Sequence, residues 1–285
     1  MKAKAKEISL KTRKQVFGAL SGNNLSKFQG EGFEFAELRE YSYGDDVRKI
    51  DWKTSAKTGK LYIKVYHEER ELNVVVSSLL SGSTYFGTHK PKSEYIIEVM
   101  ALLGYSAVKN RDLFSHILYA DKLYRKTKPS KKLYAVNKEV EELTDFDVLG
   151  KRANIKGWIE DLNKYVRKKS LLFMIGDFVG DYNLSLLAKK NDLVVIIIRD
   201  YFIENLKPLG EIRLIDPGYL YSFSGNVDEE SVKVYKEALI ENDRKLYKHI
   251  RDIGARVIKL YTHQNPYIEL LKRLKWVKIL VILSL

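Results

Sequence analysis

An uninterrupted apolar run in the first third of the sequence limits how this chain can fold. Val74 to Val76 begin the run, and Leu79 and Leu80 end it. Because neither face of the run alternates with charged residues, it predicts a strand buried on both faces, as in parallel sheets. Ser81 and Ser83, on either side of a glycine, then interrupt the run. Loops at the carboxyl ends of buried parallel strands are where open α/β sheets bind ligands.

The rest of the chain alternates short apolar runs with segments of helical period. Further strands are predicted at 113–119, 171–175, 193–198 and 257–261, and a hairpin at 212–223. Ser93 is the predicted cap of the helix that follows the first strand, and Leu10 and Phe17 are assigned to the buried face of an N-terminal helix. This alternation predicts an α/β fold with a Rossmann-type, mostly parallel central sheet and helices on both faces.

Composition narrows the classes of protein to which the chain can belong. It has 285 residues, a net charge of +13 and no cysteine, which excludes disulfides, thiolate metal sites and a cysteine nucleophile. The basic residues are spread among 37 acidic ones, so we expect no specific nucleic-acid binding. No run reaches the roughly 18–20 apolar residues that a membrane span needs. We therefore expect a cytoplasmic protein without a membrane span.

A second distinctive stretch, at 30–70, mixes acids and arginines with aromatic residues. It contains the phrases Gly-x-Gly-x-Glu-Phe, Leu-Arg-Glu-Tyr, Gly-Asp-Asp-x-Arg-x-Ile-Asp-Trp and Ser-Ala-Lys-Thr-Gly-x-Leu. The signature residues are Glu34, Phe35, Arg39, Glu40, Tyr41, Gly44, Asp45, Asp46, Arg48, Asp51 and Trp52. Three interpretations stay open: an ion-paired extension held on a main domain, a surface that docks a partner, and catalysis.

These phrases resemble a bacterial family, domain of unknown function fifty-eight. Its members accompany MoxR-type AAA+ ATPases and carry the signature ahead of a von Willebrand factor A-like domain. The resemblance implies a family-specific extension at 1–70 packed on a von Willebrand factor A-like domain at 71–285. The pairing with a MoxR-type AAA+ ATPase is implied by the resemblance alone. We expect a non-enzymatic protein-interaction module that acts with such an ATPase in protein assembly or maturation.

The serine loop resembles the metal-ion-dependent adhesion site of von Willebrand factor A domains. There, the oxygens of an Asp-x-Ser-x-Ser motif, a threonine and a second aspartate hold Mg²⁺, a hard cation. Ser81 and Ser83 match the two hydroxyl positions, and Asp177 matches the second acid, but Leu79 replaces the first. We therefore expect a degenerate site with Leu79 in the core and no cofactor, Mg²⁺ being possible but disfavoured.

An alternative function is a metal-dependent hydrolase that uses an acid cluster around Asp177. Asp181, Asp200 and Glu204 also follow predicted strands, and such acids can bind a catalytic metal. The chain has no glycine-rich phosphate loop of the Walker type and no Gly-x-Ser-x-Gly elbow. We therefore predict that it is not an enzyme.

Overall fold

The computed structural model describes residues 2–18, 33–68 and 71–274. The chain divides into a small unit of residues 23–71 and an α/β unit of residues 1–22 and 72–285. The extension predicted at 1–70 began at the first residue. The structure instead places the first helix, α1 (Lys2–Gly18), in the α/β unit. Within these described ranges, no helix combines the length and apolar character needed to cross a membrane.

Helix α1 belongs to the α/β unit because it buries a stripe of side chains there. Ala5, Ile8, Thr12 and Val16 are buried, whereas Leu10 is exposed. The predicted buried face, which included Leu10, is therefore wrong. Thr12 can be buried because its hydroxyl donates to the Ile8 carbonyl oxygen at 2.7 Å, which leaves no unpaired polar group.

In the small unit, two antiparallel strands, β1 (Phe33–Glu40) and β2 (Tyr62–Glu68), flank a short helix, α2 (Trp52–Thr58). Asp51 caps α2, since its carboxylate accepts the Thr54 amide at 3.0 Å. Gly59 ends α2 in the left-handed conformation, with φ of 72°. The signature residues are thus arranged on a hairpin whose connection contains a capped helix.

The α/β unit is built on a six-stranded sheet within the described residues, in the order β10-β7-β6-β3-β4-β5. All of its strands are parallel except β5, at one edge. Val74 to Val76 are buried in β3, as the apolar run predicted. The strands are β3 (Asn73–Leu79), β4 (Leu113–Tyr119), β5 (Leu123–Lys126), β6 (Leu171–Gly176), β7 (Asp192–Arg199) and β10 (Arg256–Tyr261).

Helices cover both faces of this sheet, so the predicted α/β fold is confirmed. One core cluster joins α1, α3, α4 and α9 to the sheet, and a second joins α5, α6 and α8 to its other face. Helix α3 begins at Lys92 after Pro91, so the predicted cap Ser93 lies inside it. The helices are α3 (Lys92–Lys109), α4 (Leu133–Thr144), α5 (Ile155–Tyr165), α6 (Ser185–Lys190), α7 (Tyr201–Glu204), α8 (Glu229–Asp252) and α9 (Pro266–Arg273).

The predicted hairpin is also confirmed, as β8 (Gly210–Asp216) and β9 (Tyr221–Val227). Its tip packs on the loop that follows β3, and the Gly150 amide donates to the Pro217 carbonyl oxygen at 2.9 Å. A Cβ atom on Gly82 would lie only 2.5 Å from the Gly218 nitrogen. The glycine at position 82 is therefore what lets the hairpin tip approach this loop.

Candidate functional site

The loop after β3 brings two predicted site residues together. Ser81 is buried and Ser83 is exposed, and their hydroxyl oxygens lie 2.9 Å apart. A turn of 3₁₀ helix follows Ser81, and the Thr84 hydroxyl donates to the Ser81 carbonyl oxygen at 2.7 Å. From the other side, the Gly82 amide donates to the Lys151 carbonyl oxygen at 2.8 Å. The loop is thus fixed by hydrogen bonds on both sides.

Asp177, directly after β6, faces a buried lysine. The Lys92 Nζ atom lies 3.2 Å from Asp177 Oδ2, and the two side chains are only 6% and 7% exposed. Burial favours a higher pKa for Asp177, but the Lys92 ammonium and the Ser83 hydroxyl outweigh it. The Arg199 guanidinium acts in the same direction, and the pKa of Asp177 is held below its usual value. The structure therefore brings Ser81, Ser83 and Asp177 together around a charged carboxylate that already has a cation.

Leu79 lies in the core, as predicted. Its side chain is fully buried, in the cluster that contains Trp158 and Phe178. The first acid of the adhesion-site pattern thus has no counterpart, and Lys92 supplies positive charge at the remaining one. Residues 2–18, 33–68 and 71–274 contain no group of three or more acidic or histidine side chains able to hold a metal. With a leucine in place of the first acid and an ammonium beside the second, these residues do not fit an octahedral Mg²⁺ site.

A second charged network lies at the carboxyl ends of β7 and β10. The Arg199 Nη2 atom donates to Asp243 Oδ1 at 2.7 Å, and the Arg199 Nη1 atom donates to the Asp177 carbonyl oxygen. Lys259 contacts Asp243 at 3.0 Å and also pairs with Glu204. Burial favours a higher pKa for Asp243, but Arg199 and Lys259 outweigh it and lower the pKa. Arg199 thus connects this network to Asp177.

The acid cluster of the alternative function does not form. Asp200 caps α7 and accepts hydrogen bonds from the Thr88 amide at 2.8 Å and the Thr262 hydroxyl at 2.5 Å. Glu204 pairs with Lys259, and Asp181 lies exposed in a loop. These acids lie in different surroundings and do not form one cluster, so the described residues give no support to a hydrolase that uses them together.

One buried constellation was missed by sequence reasoning. The Ser78 hydroxyl lies 3.1 Å from His116 Nε2, and His116 Nδ1 lies 3.1 Å from Glu139 Oε2, in the order of a hydrolase triad. All three residues are at most 1% exposed, so no substrate reaches the serine. We interpret them as a hydrogen-bonded polar network in the core. Only the placement of β3 against β4 and α4 reveals it.

The signature residues form local ion pairs in the small unit. Arg39 makes two hydrogen bonds to Asp45, at 2.9 and 2.6 Å, and Arg48 pairs with Asp46 at 3.0 Å. Glu40 pairs with Lys60 at 2.7 Å. These pairs are exposed, so water screens them and each contributes little to folding.

The remaining signature residues have mixed surroundings. The Tyr41 amide donates to the Leu61 carbonyl oxygen at 2.8 Å, and Gly44 has a φ of 103°, which favours glycine. Trp52 is 67% exposed, so it is not a buried aromatic anchor. Glu34 and Phe35 lie in β1, but their side chains fall outside the description. The role of the signature stays a prediction.

The comparison with known families agrees with the signature. The model for "Protein of unknown function DUF58" matches residues 37–242, which include the signature residues from Arg39 to Trp52, the serine loop and Asp177. This chain belongs to the DUF58 family. The DUF58 match also extends over the β8–β9 hairpin and into α8, so the family model covers most of the small unit and most of the α/β unit.

Relatives and solved structures add little beyond the DUF58 family itself. The uncharacterized proteins Rv1480 of Mycobacterium tuberculosis and Mb1516 of Mycobacterium bovis are each 24% identical over 274 residues, covering 92% of this chain and 85% of theirs. BatB from Bacteroides thetaiotaomicron is 9% identical with a TM-score of 0.47, covering 73% of this chain and 98% of that one. An aerotolerance-related membrane protein from Bacteroides fragilis is 9% identical with a TM-score of 0.43, covering 72% and 97%.

Proposed function

We propose that this chain is a non-enzymatic protein-interaction module that acts with a MoxR-type AAA+ ATPase in protein assembly or maturation. The observation that carries the proposal is the β8–β9 hairpin, which presents apolar side chains to solvent. The choice of ATPase rests on the resemblance carried by the signature. A cytoplasmic location and a von Willebrand factor A-like ancestry belong to the same proposal.

The hairpin has the properties of a docking surface. In the described part of the chain, β8 and β9 pair only with each other, so each strand leaves an edge on which a partner strand can add. Exposed apolar patches of this kind on soluble domains mark sites of association. The exposed apolar side chains are Leu214, Ile215, Tyr219, Leu220, Tyr221 and Phe223.

The hairpin is also held in a defined place. Its tip is fastened to Gly150 and packed against Gly82, and the Arg152 guanidinium lies 3.9 Å from the centre of the Tyr219 ring. The fixed tip reduces the entropy lost when a partner binds the exposed strands. It also covers part of the serine loop, so we assign partner binding to the hairpin rather than to a metal at that loop.

The proposal is tested by capture of the purified MoxR-type ATPase of the same organism on the immobilised full chain. We expect a saturable complex of fixed stoichiometry, weakened at least about tenfold by Tyr221→Ser, as for an aromatic hot spot. Tyr134→Ser is the matched control, because Tyr134 is exposed on α4. Absence of a complex, or equal binding by both variants, would refute the proposal. Phosphoester turnover that Asp177→Ala abolishes would favour the hydrolase instead.

A further inference from the structure

The parallel strands of the α/β unit have an acidic end and a basic end. Acidic residues follow the carboxyl ends of β6 and β7, namely Asp177, Asp181, Asp200 and Glu204. Cationic residues precede the amino ends of three strands: Arg167, Lys168 and Lys169 before β6, Lys189 and Lys190 before β7, and Arg251 before β10. These cationic residues are separated in the sequence, and the fold brings them to one edge of the sheet, here called the basic edge.

The basic edge is compact because β6, β7 and β10 are neighbours in the sheet. Leu171 at the start of β6 is in register with Asp192 at the start of β7, whose amide donates to the Ser170 carbonyl oxygen at 3.0 Å. Adjacent strands lie about 4.8 Å apart, so the three strand ends span about 10 Å. This span is close to the Debye length of about 8 Å at physiological salt. The cations therefore act together on a ligand at this edge.

The cations of the basic edge are not neutralised by their neighbours. All of them are exposed, and none takes part in an ion pair within the described ranges 2–18, 33–68 and 71–274. The acids in the same segments are Asp192 and Asp252, which leaves cations in excess. An exposed excess of one charge attracts a ligand of the opposite charge, so the basic edge fits a polyanion.

The shape of the basic edge favours a flat polyanion over a nucleic acid. Residues 166–170 link α5 to β6, Asn191 alone links α6 to β7, and residues 253–255 link α8 to β10. Proteins read the groove of a duplex with an inserted helix or β-ribbon, and they bind single strands by stacking bases on aromatic rings. The three links are short and contain no aromatic residue. They therefore present charge without the means to read bases.

The sequence after α9 adds an apolar anchor within reach of this edge. Leu270 and Leu274 are buried in the first core cluster, so α9 returns over the sheet from the carboxyl end of β10. Its 8 residues cover about 12 Å of the roughly 20 Å length of β10. Residues 275–285 follow, and even at 1.5 Å per residue they cover about 16 Å, enough to reach the basic edge.

The composition of residues 275–285 is that of a segment at a lipid surface. Lys275, Trp276 and Lys278 come first, and the aliphatic run 279–283 follows them. Tryptophan and lysine are enriched where a membrane meets water, and aliphatic side chains enter the acyl region. An apolar anchor beside a cationic surface distinguishes a bilayer from other polyanions.

We propose that the basic edge binds the surface of an anionic lipid bilayer, with residues 275–285 inserted among the lipids. Stable attachment of a peripheral protein takes two signals, such as one apolar anchor and one polybasic patch. The inference goes beyond the proposed function and does not rest on it. The β8–β9 hairpin packs on the loop after β3, at the carboxyl ends of the strands, so a protein partner and a bilayer can be bound at opposite edges of the sheet.

The test is sedimentation of the full chain with vesicles of phosphatidylglycerol and phosphatidylcholine in equal amounts, compared with vesicles of phosphatidylcholine alone. We expect binding to the mixed vesicles to be at least about tenfold tighter and to weaken as salt is added. Each basic residue near an anionic surface contributes about fivefold to the affinity. The double variant Lys169→Gln with Lys190→Gln should therefore bind the mixed vesicles at least about tenfold more weakly.

Lys122→Gln with Lys207→Gln is the matched control. Both lysines are exposed, and they follow the carboxyl ends of β4 and β7. The control changes the net charge by the same amount at the opposite edge, so its binding to the mixed vesicles should stay within about twofold of wild type. Equal loss of binding in the two double variants, or equal binding to the two kinds of vesicle, would overturn the proposal.

Leu280→Glu tests the apolar anchor, because it places a charge among the lipids, and it should weaken binding to the mixed vesicles at least about tenfold. The proposal fails if this variant binds like wild type, or if it alone loses binding while Lys169→Gln with Lys190→Gln does not. It also fails if a DNA duplex displaces the mixed vesicles at physiological salt, since a nucleic acid would then be the occupant. Capture of the ATPase without vesicle binding would refute this inference alone, and vesicle binding without capture would refute only the proposed function.

Discussion

Replacement of Lys92 by methionine tests whether a buried ammonium holds Asp177 in its charged form. Removal of one partner of a buried ion pair typically costs about 3–5 kcal/mol. In the variant, Asp177 can become protonated instead of staying as an unpaired charge. Protonating an aspartate of ordinary pKa at pH 7 costs about 4 kcal/mol, which limits the loss of stability to about this value. We therefore expect Lys92→Met to lower the free energy of unfolding by about 3–4 kcal/mol at pH 7. For a domain of this size, the melting temperature would fall by about 6–16 °C.

The loss of stability in Lys92→Met should depend on pH in a defined direction. In the variant, the pKa of Asp177 rises above its unfolded value, so stability relative to wild type is lost as pH increases. The difference should therefore shrink to below about 1 kcal/mol at pH 4, where protonation costs little. Urea unfolding of both proteins across this pH range measures it.

Lys90→Met is the control for the loss of a lysine from the same part of the chain. Lys90 contacts Glu98 at 2.9 Å, but Lys11 also contacts this carboxylate, at 3.0 Å. Glu98 thus keeps a cation, and we expect a loss below about 1.5 kcal/mol with little dependence on pH. If Lys92→Met costs no more than this control, or costs the same at pH 4 and pH 7, the reasoning fails.

Three further predictions follow from the same part of the molecule. Millimolar Mg²⁺ should leave the melting curve unchanged, whereas binding at one hundred times the dissociation constant would add about 2.7 kcal/mol; a saturable isotherm lost in Asp177→Ala would contradict this. Cationic neighbours lower the pKa values of Asp177 and Asp243, although burial favours higher values. The stability that these two carboxylates contribute should therefore persist above about pH 4 and disappear as the pH falls further, as urea midpoints will show. Gly82→Ala should displace the hairpin tip, cost about 1–3 kcal/mol and speed proteolysis within 210–227. Gly225→Ala, where a Cβ atom has no neighbour within 4 Å, should not, and equal cleavage of both variants would count against the packing described.

Local sequence patterns predicted the sheet, because a strand that is buried on both faces has an almost uninterrupted apolar sequence, such as the run at 74–80. The same approach placed the hairpin at 212–223 and the core position of Leu79. It failed to identify Lys92, since its partner Asp177 lies 85 positions away in the sequence. It also failed for Thr12, whose burial depends on a hydrogen bond to its own helix that hydrophobicity does not register.

The components of the candidate site were therefore predictable one by one, but their pairing was not. Ser81 and Ser83 were identified because they follow a buried strand and match the two hydroxyl positions of the adhesion-site pattern, and Asp177 because it matches the second acid of that pattern. Arg199 also ends a strand, yet its contacts with Asp177 and Asp243 depend on how β6, β7 and α8 are placed in space. Charge compensation between distant residues leaves no periodic signal in a sequence.

The lysine beside Asp177 has a consequence for regulation. A cation supplied by a side chain is present at a fixed ratio of one per molecule, and neither a chelator nor a change in the concentration of free ions removes it. Surfaces that surround such a group are always charged in the same way from the time the chain folds. The charge at this point of the α/β unit therefore does not depend on the supply of divalent ions.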